Sequence, residues 1–449
     1  MAVQKQAEIY EGWKSLSIKN NWLSLHILPE LGGRIIQIDL DGFDFLFVNP
    51  SLAGKEPDSA RLGRNGAWLN FGGEKIWPAP QGWDTPEQWP GPPDPVIDGG
   101  IYTVDPSGAQ EDANAVTLTS PVDSRTGLQI VKKVTLSKIR SEIIVNATFI
   151  NTGNIKRKWS VWPVIQMNTG REDLLYRYQV ICPVNTESIF KDGFKVIHGL
   201  VNNPQNRLDE NGNLRIDYMY LVGKVGLDSD SGWVGFCDRI AGKVFVAMAQ
   251  YQPEENYPDN NSVQIWSQGK GMIYSRNKIS GFIDDRILNP PYMEIELLSP
   301  LKEIRPGESL TFEYRMLTCT IPVDESIKGV NKLGVIAAPL EVRIVNDNVS
   351  ITGKFGVFSV GKIVLRFKNA LGSIIESCYS LLSWDATPLK EIDILLNIDK
   401  NNPLFAQEIF VSADFYDCDN HFIGEMAQTV FKHTYWNLSN LLNKPWVKF

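Results

Sequence analysis

Short runs of alternating polarity, joined by turns, dominate this chain and leave few folds open to it. Residues 128–136 read LQIVKKVTL and residues 142–150 read EIIVNATFI, with the polar segment SKIRS between them. Successive side chains of an extended chain point to opposite faces, so Ile143, Val145, Ala147 and Phe149 share one apolar side. The pair predicts a β-hairpin. Further strand-like runs cover residues 159–167, 243–249, 262–266, 292–298 and 310–319. Apolar spacing of the helical kind over three turns is absent, and the best helical stretch is the short run 438–442. Many short strands punctuated by Gly, Pro, Asn and Asp predict an all-β fold of packed sheets.

At 449 residues the chain is long for one domain and comfortable for two. The polar segment PVDESIKGVNKL, residues 322–333, follows the last strong strand of the first region. It predicts a large domain over residues 1–325 and a small β-sandwich over residues 334–449. The strands of the latter are expected at 340–345, 362–367, 392–398 and 409–415.

A net charge of −8 leaves no basic excess to neutralise phosphates, which argues against a nucleic-acid partner. No apolar stretch approaches the roughly 20 residues needed to span a bilayer, so no membrane partner is expected. The N-terminal segment MAVQKQAEIYEGW lacks a signal-peptide core, and a cytoplasmic location is the expectation. Cys182, Cys237, Cys319, Cys378 and Cys418 are scattered without a CxxC and read as reduced thiols. The four histidines share no metal-ligand spacing. Dinucleotide, Walker and GxSxG patterns are missing, so no cofactor and no metal are expected. The sequence carries no signal of oligomeric state.

Function is sought in the segment 61–102, RLGRNGAWLNFGGEKIWPAPQGWDTPEQWPGPPDPVIDGGIY. It holds Trp68, Trp77, Trp83 and Trp89, four of thirteen tryptophans, in a stretch too broken by Pro and Gly for a helix. Large aromatics and placed polar groups in a long loop point to a ligand. Indole pairs a flat apolar face with one N–H, which suits a sugar ring. Arg64, Asn65, Trp68, Asn70, Lys75 and Trp77 are the candidate contacts here. Strand alternation puts Lys75 and Trp77 on one side and Glu74 with Ile76 on the other. The alternative is a packed Trp beside a solvated Lys. Asp94 and Asp98 sit among Pro and Gly, where turn chemistry outweighs acid/base work or calcium binding. In LPELGGRIIQIDLDGFDFL the Gly pair reads as a hairpin turn, since the ending of a phosphate loop is missing. Glu294 and Glu296, two apart in a strand, share a face that is either solvated or lines a cleft.

The order of these features resembles the galactose mutarotase-like (aldose 1-epimerase) superfamily. LPELGGRIIQIDLDG is similar to its opening hairpin, residues 128–150 with Asn151-Thr152-Gly153 to its central strands, and Met293-Glu294-Ile295-Glu296 through Pro300 to the late strand bearing its general base. GGEKIWPAPQ with WPGPPDPVIDGG resembles an uncharacterised bacterial branch of it. The resemblance covers roughly residues 10–320. It implies an antiparallel supersandwich, which the smaller C-terminal β-sandwich read above would follow, and a small-molecule carbohydrate in a groove on one sheet. It makes Glu294 the candidate base, and Gln166 and Glu296 candidate sugar contacts. The superfamily's central His, which protonates the ring oxygen, should end the strand after Asn151. That strand reads WSVWPVIQM, without His. His198 lies beyond it and is expected to reach the site only through a loop. Lys75, or Glu74 with a raised pKa, is the expected substitute acid. Three functions stay open: an aldose epimerase-like isomerase, a non-catalytic sugar-binding protein, and a structural or assembly protein whose tryptophans pack the loop.

Overall fold

A computed structural model of the chain describes residues 3–56, 68–82, 85, 88–105, 113–170, 176–274, 280–375 and 382–432. Two large antiparallel sheets enclose one hydrophobic core. The first, of twelve strands, runs in the order Gln4–Tyr10, Trp13–Lys19, Leu23–Leu28, Arg34–Leu40, Glu74–Ala79, Arg157–Asn168, Tyr292–Leu297, Val263–Ser267, Gly223–Leu227, Lys195–Gly199, with two short strands beside this path. The second, of ten strands, is centred on Lys243–Ala249, Ser309–Thr320, Glu142–Asn151 and Leu128–Leu136.

The expected hairpin lies in that second sheet, with Ile143 opposite Leu136 and Phe149 opposite Ile130. Ile143, Val145, Ala147 and Phe149 are fully buried, as one-sided alternation requires. The first sheet behaves differently. Glu74–Ala79 and Tyr292–Leu297 are buried at every position, because both faces of these strands are covered. With every position buried, the alternation of Met293, Glu294, Ile295 and Glu296 marks the strand without saying which side is inside.

The other expected runs fall within Arg157–Asn168, Lys243–Ala249, Val263–Ser267, Tyr292–Leu297 and Ser309–Thr320. The helical run 438–442 lies outside the described residues. Among the described residues the helical pieces are two single 3-10 turns, Pro258–Asn260 and Pro403–Ala406. None of the described helices is long and apolar enough to cross a membrane.

The glycine pair predicted as a turn earns its place by close approach. Gly32 and Gly33 have φ of 66° and 58°. A Cβ on Gly32 would fall 2.2 Å from the Asp98 carbonyl oxygen, and one on Gly33 would fall 2.5 Å from the Tyr102 ring. Only Gly lets the 94–102 segment lie against this turn.

Beyond residue 328, two four-stranded sheets carry a core of their own, built from Val349, Ile351, Phe355, Ile363, Val411 and Phe415 among others. Val335, Ala337 and Phe358 pack on Val244, Val246, Leu317 and Cys319 of the second sheet. Met316 and Tyr314 of the same Ser309–Thr320 strand belong to the main core. The C-terminal sheets therefore cover the second sheet's outer face and leave the first sheet's outer face free of them.

Candidate functional site

Register assembles the site. Across the first sheet Gln166 faces Glu294, Glu294 faces Trp266, Trp266 faces Lys224, and Lys224 faces His198. In the adjoining row Lys75 faces Val164, Val164 faces Glu296, and Glu296 faces Gln264. Trp77 faces Trp162. Cross-strand partners share a face, and this one is opposite the side of Glu74, Ile165 and Ile295, where Glu74 bonds Lys132 and Tyr314 of the second sheet.

Glu294 and Glu296 share that face, and both are buried. Gln166 Nε2 donates to Glu294 Oε1 at 2.7 Å. Glu296 Oε2 accepts from Trp162 Nε1 at 2.8 Å and from Lys224 Nζ at 2.9 Å. Lys75 Nζ lies 5.0 Å from the Trp77 ring and 5.6 Å from the Trp68 ring, a cation between two π faces. Its ammonium has no hydrogen-bond partner among the described residues, and neither do Glu296 Oε1 and Gln166 Oε1. The three belong to neighbouring strands and share one face of the sheet.

Burial pulls the Lys75 ammonium down to about 8, against the pull of the Glu294 carboxylate. Burial likewise raises Glu294, against the pull of Lys75. Both shifts bring the pair toward neutral pH, where a group both holds and releases a proton at small cost.

The tryptophan segment is anchored from beneath. Trp68 Nε1 and Trp77 Nε1 each donate to Asp98 at 3.2 Å. Asp98 pairs with buried Arg34, whose guanidinium also holds the carbonyls of Leu31, Gly72 and Asp98. Trp89 Nε1 donates to Asp94 at 3.0 Å, and Asp94 accepts from the Val96 and Ile97 amides. Asp94 is thus a turn residue, and Asp98 a buried anchor. Trp89 is sealed in the core and packs on Trp77, which packs on Trp162. These indoles have spent their N–H groups; Trp77 and Trp89 are buried and Trp68 is half-buried.

Three sequence expectations need correction or qualification. Glu74, expected as a substitute acid, is fully buried on the core side of its strand. It accepts from Lys132 Nζ at 2.5 Å and from the Tyr314 hydroxyl, both on the second sheet. A carboxylate held between the sheets does not reach a ligand on the outer face. Asn70, expected as a sugar contact, uses its side-chain oxygen to accept from the Gly72 amide and close a turn. His198 is not carried by a loop. It sits on the edge strand Lys195–Gly199, stacks on Trp266 with ring centroids 5.4 Å apart, and has Nε2 2.7 Å from the Met272 carbonyl oxygen. Arg64, Asn65 and Trp83 lie outside the described residues. Lys224, Trp162 and Trp266 were missed as site residues; extending the same-face reading of Glu294 and Glu296 across the neighbouring strands finds them.

A cleft of about 780 Å³ opens on the second sheet, among Arg140, Glu142, Glu313 and Arg315. Those four charges pair with one another. Asp417, Asp419 and His421 gather at the surface, where Asp417 accepts the amides of the other two and closes their turn.

The family described as a domain of unknown function, DUF4380, matches residues 14–317. No protein of curated function matches the chain. Similar solved structures include a TPR-domain containing protein from Parabacteroides distasonis, at 16% identity over 74% of this chain and 50% of that one, TM-score 0.43. They also include a galactose mutarotase-like protein from Lactobacillus casei, at 11% identity over 68% of this chain and 99% of that one, TM-score 0.44. A mutarotase-type protein (YeaD) from Salmonella typhimurium, its assignment not settled, matches at 11% identity over 71% and 94%, TM-score 0.46. The chain thus spans half the length of the first of these and nearly all of the other two.

Proposed function

The chain belongs to the DUF4380 family, whose description assigns no activity, and we propose that it binds a carbohydrate on the outer face of its first sheet and exchanges protons with the anomeric centre through Glu294 and Lys75. The observation that carries this reading is the buried Lys75 ammonium, set between two indole faces, acted on by Glu294, and lacking a hydrogen-bond partner among the described residues.

Each feature supports a polyol. The unpartnered atoms are one donor, Lys75 Nζ, and two acceptors, Glu296 Oε1 and Gln166 Oε1. A hydroxyl group donates and accepts, so a ring bearing several satisfies all three. The half-buried Trp68 offers an indole face that matches the C–H face of a pyranose. In the reaction the Glu294 carboxylate takes the anomeric hydroxyl proton while the Lys75 ammonium gives one to the ring oxygen. The bond between C1 and the ring oxygen breaks, leaving an open-chain aldehyde. The C1–C2 bond rotates, and the reverse transfers close the ring on the other face. An ammonium near pKa 8 is charged at neutral pH yet releases its proton readily.

Polarimetry of freshly dissolved α-glucose and α-galactose tests this. The chain should quicken the approach to equilibrium, and Glu294→Gln should abolish the gain. An unchanged rate in that variant removes Glu294 from the mechanism. One observation favours binding without catalysis: the two indoles that flank Lys75 stabilise its charge in place. That reading expects saturable binding with no gain in rate.

A further inference from the structure

The outer face of the first sheet continues past Glu294. A cavity of about 160 Å³ opens between the end of the Glu74–Ala79 strand and the Pro258–Asn260 turn. Trp162, Lys224, Gln264, Gln81 and Asp259 line it. It shares a wall with the site above, because Trp162 and Lys224 both bind the Glu296 carboxylate. Gln264 faces Glu296, and Lys224 faces Trp266, which faces Glu294. Two inter-strand steps of about 4.8 Å put Lys224 roughly 10 Å along the sheet from Glu294. That span exceeds one sugar ring.

The rim of this cavity is built in advance. Asp259 and Asn260 have φ of 50° and 59°, uncommon values for residues with a side chain. The turn closes through the Asn261 amide on the Pro258 carbonyl at 2.8 Å. Beneath it the Asn261 side chain is seated on Gly226, where a Cβ would fall 2.4 Å from Asn261 Oδ1. Asn261 is fully buried, and both polar atoms of its side chain lack partners among the described residues. Such contact holds the turn, and with it Asp259, in one place. The lining combines an ammonium, a carboxylate, two amides and an indole with the apolar Ala79, Pro80, Ile197, Pro258 and Leu298. Donors and acceptors are mixed and the formal charges of Lys224 and Asp259 cancel, which suits a hydroxylated ring better than an anion or an alkyl chain.

We propose that this cavity is a second sugar subsite, so that the ligand is a disaccharide or longer glycoside whose reducing-end ring lies at Glu294 and whose next ring lies against Trp162, Gln264 and Asp259. The inference rests on the carbohydrate reading above and narrows it. Tryptophan-fluorescence titration of the full chain tests it, with glucose compared against cellobiose, maltose and lactose, which all end in a reducing glucose. At least one disaccharide should bind about tenfold or more tightly than glucose. Asp259→Ala, at the exposed rim, should bring that disaccharide down toward glucose and leave glucose binding where it was. Glucose binding with no gain for any disaccharide, or a loss shared equally by glucose, overturns the subsite alone. No response to any of these sugars overturns the subsite together with the reading beneath it.

Discussion

Glu74 and Lys75 are neighbours in the chain, both carry buried charge, and their surroundings differ in one respect. Glu74 points between the sheets, where Lys132 and Tyr314 satisfy it and Lys132 also donates to the Gly33 carbonyl. Lys75 points out of the same strand into an aromatic box and has no hydrogen-bond partner among the described residues. The inner charge has everything it needs from the fold. The outer one is set against two indole faces and acted on by Glu294. Buried charge alone therefore does not mark a candidate site; which side of the strand it faces, and what it meets there, separates the two residues.

The largest effect that separates the two is on stability. Glu74→Leu leaves the Lys132 ammonium buried without its partner and should cost about 3–5 kcal/mol. Lys75→Met removes a desolvated cation of poor hydrogen bonding and should cost far less, with urea denaturation as the measurement. Equal losses would erase the contrast. Glu74→Leu combined with Lys132→Met should recover most of the deficit, since an apolar pair of similar volume replaces the ionic one.

The next effect appears with alkaline pH. Lys75 holds its proton less tightly in the folded chain, near pH 8, than at its ordinary 10.5. Between those values the unfolded chain binds more protons, so stability from this group rises with pH. Glu294 acts in the opposite sense and in a lower range: its raised pKa means the folded chain holds the extra proton, and stability falls as pH climbs above its ordinary 4.5. Urea midpoints of the native chain relative to Lys75→Met should therefore climb from pH 8 to 10.5. A flat difference would mean that Lys75 is not desolvated.

The smallest effect on stability belongs to Trp266, partly exposed and stacked on His198. Trp266→Ala should cost less than half of what Trp89→Ala does, a core truncation of about 3–5 kcal/mol. It should nonetheless weaken sugar binding, since its face adjoins Glu294 in register. Loss of stability without loss of binding would place Trp266 with the packing residues.

Much of the fold was legible because short strands advertise themselves. The 128–150 hairpin and the strand at 292–298 appear where alternation and β-branched residues put them. Alternation also separated Glu74 from Lys75, but it could not say which of them faced inward. That is decided by Lys132 and Tyr314, which lie 58 and 240 residues away in the chain. The tryptophan segment was visible as unusual, while its anchoring on Asp94 and Asp98 was not, because an Asp beside Pro and Gly looks like a turn whether or not it receives an indole N–H. His198 was misplaced for a different reason. A five-residue edge strand with a bulge between Val196 and His198 breaks the alternation by which strands are recognised.

The proposed polyol site on the outer face of the first sheet is centred on Lys75 and Glu294. Tryptophan fluorescence of the full chain, titrated with a panel of aldoses, aldose phosphates, uronates and disaccharides, tests it most directly. A saturable change that disappears in both Lys75→Met and Glu294→Gln is the expected result. A flat response across the panel, or one that survives both substitutions, would contradict it.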